Sequence, residues 1–169
     1  MIKPIKPLII SALFTAMTVV LTSFAKIPVG NGYIHIGDSM IYLAACILPF
    51  PYAVFTAAIG GALSDTLAGY AIYIIPTFII KALITLPYTP KNDTILTTRN
   101  ALMTIPAGAI TVIGYFIAGL ILYGWPGAVA ELLGNIIQAV GSAVIFLLLA
   151  AALDKIKFKQ TILKGNQWV

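Results

Sequence analysis

The stretch GNGYIHIGDS, Gly30 to Ser39, decides the fold. It gathers three glycines, a tyrosine, the only histidine and an acid between two long apolar runs. If those runs cross a membrane, this segment is a flexible lid at one membrane surface. The rest of the chain is then expected to place polar groups at the same depth beneath it.

Composition supports the membrane reading. The chain has 169 residues, of which 60% are hydrophobic and only 9% charged, and its mean hydropathy is +1.03. Soluble domains carry about 25% charge. We therefore expect an all-α integral membrane protein, with residues 1–169 forming a single transmembrane domain. About six helices of roughly 20 residues fit, because the hydrocarbon core is about 30 Å thick and each helical residue rises about 1.5 Å. No soluble ATPase or catalytic domain fits in what remains. The net charge of +5 comes from basic residues at the ends of apolar runs, which reads as membrane topology rather than nucleic-acid binding. Cys46 lies in an apolar run without a second cysteine and reads as a small buried residue. Lys3 and Lys6, the apolar run Leu8 to Ala25 and the small residues around Ser23 imitate a signal peptide. The run is long enough to span, so a retained first helix is expected instead.

The remaining helices follow from punctuation. Helix 2 is expected from about Ile36 to Leu48, ended by Pro49-Phe50-Pro51, and helix 3 from Tyr52 to about Ala68. Helix 4, about Ala71 to Tyr88, contains Pro76, expected to kink or break it, and Lys81 toward its far end. The hydrophilic stretch Thr89 to Asn100 divides the chain. Helix 5, about Ala101 to Tyr123, is expected to be interrupted at Pro106, and helix 6 runs from about Ala128 to Leu153. With six helices, nine of the ten basic residues fall on one side if Lys81 is counted there, and Lys26 alone falls on the other. That bias places both termini, Lys91 and Arg99 in the cytoplasm and the lid, with Asn31, outside.

Polar groups then converge on the outer side. Glu131, Asn135, Gln138 and Ser142 recur at steps of 4, 3 and 4, which puts them on one face of helix 6. An acid inside a membrane helix is costly unless it faces a cavity or a partner, so Glu131 marks a functional surface. Asp38 reads equally as a helix cap, Asp65 as a solvated end residue, and Tyr70, Tyr73 and Trp125 as interfacial aromatics. His35 has no second ligand at metal spacing, and neither a metal nor a cofactor is expected. Neither a Walker motif nor a Gly-rich phosphate loop is present, so the chain is not expected to power transport by itself with ATP. Small residues mark helix 1, with A-x-x-x-A at Ala12 and Ala16 and a parallel stripe of Ser11, Thr15, Thr18 and Thr22. In lipid such faces admit a close neighbour, within the chain or in another subunit.

In their order, A-x-x-x-A in helix 1, IHIGDSMIYLAA, GGALSDTLAGY and PTFIIKAL resemble the substrate-binding S component of energy-coupling factor vitamin transporters, over nearly the whole chain. The resemblance implies a small multi-pass plasma-membrane protein that captures a vitamin or precursor at the outer face. It further implies docking on a transmembrane coupling subunit with two cytoplasmic ATPases, and no enzyme activity. Carried over by position, the docking surface falls on Ala12 and Ala16, and the gating loop on about Lys26 to Ile36, with Tyr33 and His35. Substrate contacts fall on Tyr73, Trp125, Glu131, Asn135 and Gln138. A tryptophan-rich thiamine pocket is missing. An acid, two amides and several aromatic faces suit a small hydroxylated nitrogen heterocycle such as hydroxymethylpyrimidine or a pyridoxine-like ring. An intramembrane enzyme and a membrane assembly protein stand as alternatives.

Overall fold

A computed structural model of the chain describes residues 5–29 and 32–163. Among these, α1 (Ile5–Ser23) leads into an antiparallel hairpin of β1 (Lys26–Val29) and β2 (Gly32–His35), paired from Lys26 opposite His35 to Val29 opposite Gly32. Then come α2 (Asp38–Ile47), α3 (Phe50–Ala68), a 3-10 turn at Ala71–Tyr73 running into α4 (Ile74–Leu83), a short α5 (Thr98–Leu102), the long α6 (Thr104–Lys155) and α7 (Phe158–Leu163). Of the expected lid, Gly32 to His35 form the second strand of this ribbon and Asp38 and Ser39 begin α2, while Gly30 and Asn31 lie outside the described residues. KIPV and GYIH are short and lack the regular polar alternation of a half-buried strand, so local pattern does not announce the ribbon.

Helix α6 is two helices joined at Gly124, whose φ of 70° and ψ of −171° are non-helical. Counting its two arms, six substantial helices are present among the described residues, as the sequence suggests. Two stretches, Ile5–Ser23 and Thr98–Lys155, are long and apolar enough to cross a membrane, while Asp38–Ile47 and Ala71–Leu83 are apolar but shorter. At about 1.5 Å per residue, a ten-residue helix such as α2 covers only about half of a 30 Å core.

Every residue of α2 is buried, so this helix is the axis of the bundle. On its far side Tyr42 stacks on Tyr88 at 5.2 Å, and Phe146 meets both rings edge-on at 5.8 and 5.7 Å. The outer surface is apolar by contrast, with Leu8, Leu13, Phe55, Ile121, Leu133 and Leu148 all exposed. A surface of this kind is matched to lipid rather than water. The Ser/Thr stripe of α1 packs within the chain: Ser11, Thr18 and Thr22 are buried, and a Cβ on Gly60 of α3 would stand 3.2 Å from Thr18.

Two prolines act differently from expectation. Pro76 is the third residue of α4, and Pro106 the third of α6, positions where a helix has no internal use for the missing N–H. The direction changes instead come at the 3-10 turn and at Gly69, whose left-handed φ of 83° ends α3 while its N–H bonds back to Asp65 and Thr66.

The polar loop at 89–100 is held by side chains. Asn100 donates to the carbonyls of Thr89 and Ile95 at 3.1 and 3.0 Å, and Asp154 accepts the N–H groups of Ile95 and Leu96, each at 2.8 Å. Lys159 donates to the carbonyls of Pro90 and Asn92 at 2.7 and 2.5 Å.

Candidate functional site

At the hairpin end of the bundle, α3, α4 and both arms of α6 enclose a cavity roofed by Tyr33, Ile34 and His35. Helical spacing explains its walls. Tyr73 at the end of the 3-10 turn, then Thr77 and Lys81 on α4, recur every four residues, and Glu131, Asn135 and Gln138 share one face of α6. All six are buried despite carrying polar atoms.

The polar contacts arrange this cavity in layers. In the roof, the Tyr33 hydroxyl donates to Asp65 Oδ1 at 2.7 Å, and its ring packs on Tyr70 at 4.7 Å. Near the rim the Tyr73 hydroxyl donates to Glu131. Midway, the hydroxyls of Thr77 and Tyr115 are 3.1 Å apart. At the floor Lys81 Nζ lies 2.6 Å from Asp38 Oδ1, and Gln138 Nε2 donates to Asp38 Oδ2 at 3.0 Å.

Several buried polar atoms lack a partner among the described residues. Asp65 Oδ2 and Asn135 Nδ2 make no hydrogen bond among the described residues, although Asp65 is 4% exposed and Asn135 9%. Leaving such a group unsatisfied costs about 1–3 kcal/mol, so a wall that keeps two of them has hydrogen bonds still to make. The open volume is about 40 Å³, far below the roughly 300 Å³ of a typical ligand pocket. A vitamin-sized ring enters only if the hairpin or the lining side chains move apart.

The hairpin junction is equally specified. His35 Nδ1 accepts from the Gly37 N–H at 3.0 Å and lies 3.4 Å from Thr22 Oγ1. Burial holds the imidazole at about 4, below its ordinary 6.5, with the Lys81 charge lowering it further and Asp38 opposing. With Nδ1 accepting a backbone N–H, the proton of the neutral ring sits on Nε2.

A family model for the ECF-type riboflavin transporter S component matches residues 3–155. The chain belongs to this family. It is also similar to an uncharacterized protein from Pyrococcus woesei, 35% identical over 121 residues that cover 70% of this chain and 80% of that one. A further relative is the thiamine precursor transporter HmpT of Lactococcus lactis subsp. cremoris, 28% identical over 157 residues covering 90% of each chain. The protein is accordingly a membrane-bound substrate-binding subunit of a vitamin or vitamin-precursor transporter.

In this S component the cavity gathers Tyr33, His35, Tyr73, Glu131, Asn135 and Gln138, six of the seven substrate contacts expected from sequence. Trp125 is not among them. It sits at the Gly124 bend, 67% exposed and edge-on to Phe116 at 5.8 Å, because the left-handed glycine followed by Pro126 turns its side chain outward. Four of the lining or floor residues that the sequence did not place in the site matter most to its chemistry: Asp38, Asp65, Lys81 and Tyr115. Asp38 does not cap α2, whose N-cap Gly37 has no side-chain cap bond; its carboxylate serves Lys81 and Gln138. Asp65 is buried rather than solvated, and Tyr115 lines the wall. Lys81, counted with the cytoplasmic basic residues, is instead buried at the cavity floor. The available signal was an ionisable residue inside an apolar helix, which in a membrane has to find a partner. Ala12 and Ala16 are exposed and line a separate apolar groove of about 680 Å³ between α1 and α3.

Proposed function

We propose that this S component captures a small, planar, hydroxylated nitrogen heterocycle, of the hydroxymethylpyrimidine or pyridoxine type, in the cavity under the hairpin. The observation that carries the reading is the buried Glu131 and Asn135 side by side on α6, with Asn135 Nδ2 unpaired among the described residues. Glu131 accepts from a ring hydroxyl or amino group, and Asn135 donates to the adjoining ring edge. Tyr73 offers an aromatic face, and Asp65 Oδ2 a second acceptor. The likeness to HmpT, named for a thiamine precursor, supports the one-ring reading. A second reading is a flavin, on the strength of the family description; its three fused rings demand a far larger opening of a cavity of about 40 Å³.

The test is calorimetry on detergent-purified protein with hydroxymethylpyrimidine, pyridoxine, thiamine and riboflavin, beside mass spectrometry of any compound that co-purifies. Hydroxymethylpyrimidine or pyridoxine is expected to bind. Glu131→Gln and Asn135→Ala are each expected to weaken that binding at least about tenfold, near the lower end of the 1–3 kcal/mol cost of a lost buried partner. Binding of riboflavin alone selects the flavin reading, and unchanged affinity in both variants removes α6 from the site.

We propose further that both termini and the 89–100 loop are cytoplasmic and the hairpin is outside. The bias of basic residues supports this even without Lys81. Delivery then requires docking through Ala12 and Ala16 on a transmembrane coupling subunit that carries two ATPases. The small side chains and the apolar groove beside them support a close helix approach there.

A further inference from the structure

We infer that Lys81 is a specificity-determining residue: held by Asp38 and Gln138, its ammonium takes an uncharged hydrogen-bond acceptor of the substrate ring at the inner end of the cavity. The inference rests on the reading that this cavity is the substrate site.

An ammonium has three N–H donors. Among the described residues Lys81 has one acceptor, Asp38 Oδ1 at 2.6 Å, and no hydrogen bond to any other atom. The Tyr115 ring lies 5.2 Å from Nζ, which favours the charge without supplying a lone pair in the hydrogen-bond sense. The side chain is 2% exposed and the residue lines the cavity, while Nζ is shut off from solvent, so water does not satisfy its spare donors. Buried donors on a charged group are costly to leave unmade.

The position of this ammonium is set from three helices. Asp38 on α2 holds the charge. Gln138 on α6 donates to the other carboxylate oxygen and so fixes the rotation of Asp38. On α3, Gly61 stands so near that a Cβ there would lie 2.7 Å from Lys81 Cγ and 2.8 Å from Thr77 Cγ2. The lysine stem is therefore confined, and the donor is presented rather than searching.

Charge decides which acceptor suits it. Asp38 already neutralises Lys81, and Asp65 and Glu131 line the same cavity. Among the residues lining the cavity Lys81 is the one cation, and Lys26 stands above the Tyr33 and Tyr70 rings at the opposite, outer end, so a carboxylate or phosphate at the floor would meet this acidic surround without a countercharge beside it. A ring nitrogen or carbonyl oxygen takes the spare N–H without adding charge. The geometry thus points to a neutral heteroaromatic acceptor at the floor, and against the phosphate ester of the same compound.

The experiment uses the full chain in detergent and the four probes hydroxymethylpyrimidine, pyridoxine, thiamine and riboflavin. Lys81→Met alone strands a buried carboxylate and is prone to misfold, so the informative variant is the uncharged pair Asp38→Asn/Lys81→Met, checked by thermal melting. For whichever probe binds the wild type, the folded double variant is expected to bind at least tenfold more weakly. Where that probe is hydroxymethylpyrimidine, the pyridine analogues with either ring nitrogen replaced by C–H provide a cycle. One of them should bind the wild type about tenfold more weakly than its parent, and the double variant should bind both equally. An unchanged dissociation constant in the folded double variant overturns the inference while leaving the cavity as the substrate site. The same ratio of parent to analogue in both proteins also overturns it, as does tighter binding of the phosphate ester than of the parent. Failure of all four probes to bind the wild type overturns both the inference and the reading on which it rests.

Discussion

Tyr33 in the hairpin donates its hydroxyl to Asp65 Oδ1 near the end of α3 across 2.7 Å, joining the roof of the cavity to its wall. Burial and the neighbouring Asp65 carboxylate push the Tyr33 phenol up, so it remains a protonated donor throughout the physiological range. Since Tyr33 also packs on Tyr70, removal of its hydroxyl alone should keep the ring in place and release only the tether. Tyr33→Phe is expected to speed ligand dissociation about tenfold with a smaller change in association, as a lost hydrogen bond to a charged partner is worth about 1.5–3 kcal/mol. Stopped-flow measurement of both rates checks this, and an unaltered off-rate would mean that the tether does not hold the roof closed.

The junction between hairpin and α2 tolerates no side chain at Gly37. A Cβ there would lie 2.0 Å from Thr22 Oγ1, 3.1 Å from the Thr18 carbonyl and 3.2 Å from His35 Nδ1. Gly37→Ala is expected to destabilise the protein by about 1–3 kcal/mol through overpacking. Adding Thr22→Ala removes the nearest clash and should restore part of the loss in a detergent melting series. If the second change restores nothing, contact with Thr22 is not the cause.

The neutral His35 makes a pH signature. Its folded value of about 4 lies below its ordinary 6.5, so the unfolded chain binds the proton more readily. Stability from this group is therefore complete above about pH 6.5 and is lost as pH falls toward 4. Asp38, Lys81 and Tyr33 are the ionisable groups around it. Melting temperature should fall from pH 7 to pH 5 in the wild type and fall less in His35→Asn, whose side-chain oxygen replaces Nδ1 as acceptor for the Gly37 N–H. Equal slopes in the two proteins would assign the titration to another group.

The α1 groove predicts a separation of functions. Ala12 and Ala16 line the groove with Phe55 and Ile59, on a surface that shares no lining residue with the cavity under the hairpin. Ala16→Leu, or leucine at Ala12, is expected to abolish uptake by cells that contain the ATPase module while the purified protein binds substrate with unchanged affinity. Normal uptake with both changes would remove this face as the docking surface.

How much of this was legible in the chain varies with the range of the interaction. Helix number and most boundaries follow from apolar runs and their punctuation, which are local properties. The convergence of Glu131, Asn135 and Gln138 is equally local, since a period of 3.6 residues puts steps of 4 and 3 on one face whatever surrounds the helix. Membership of the family was likewise readable from motifs in order, and the match over residues 3–155 bears it out.

Only the tertiary structure decided what each polar group faces. Asp38 looks like a cap and Lys81 like a cytoplasmic charge until the rotations of α2 and α4 bring them to 2.6 Å, an arrangement set by side chains on three separate helices. Trp125 has the composition of a binding residue, but the backbone at Gly124 turns it outward. The hairpin also forms beyond the reach of local pattern, because Lys26 to Val29 and Gly32 to His35 satisfy their backbone groups against each other rather than through any preference in either strand alone. Sequence determined the helices and the polar face of one of them; close packing between helices determined the cavity, because a buried charge takes whichever partner the assembled bundle places beside it.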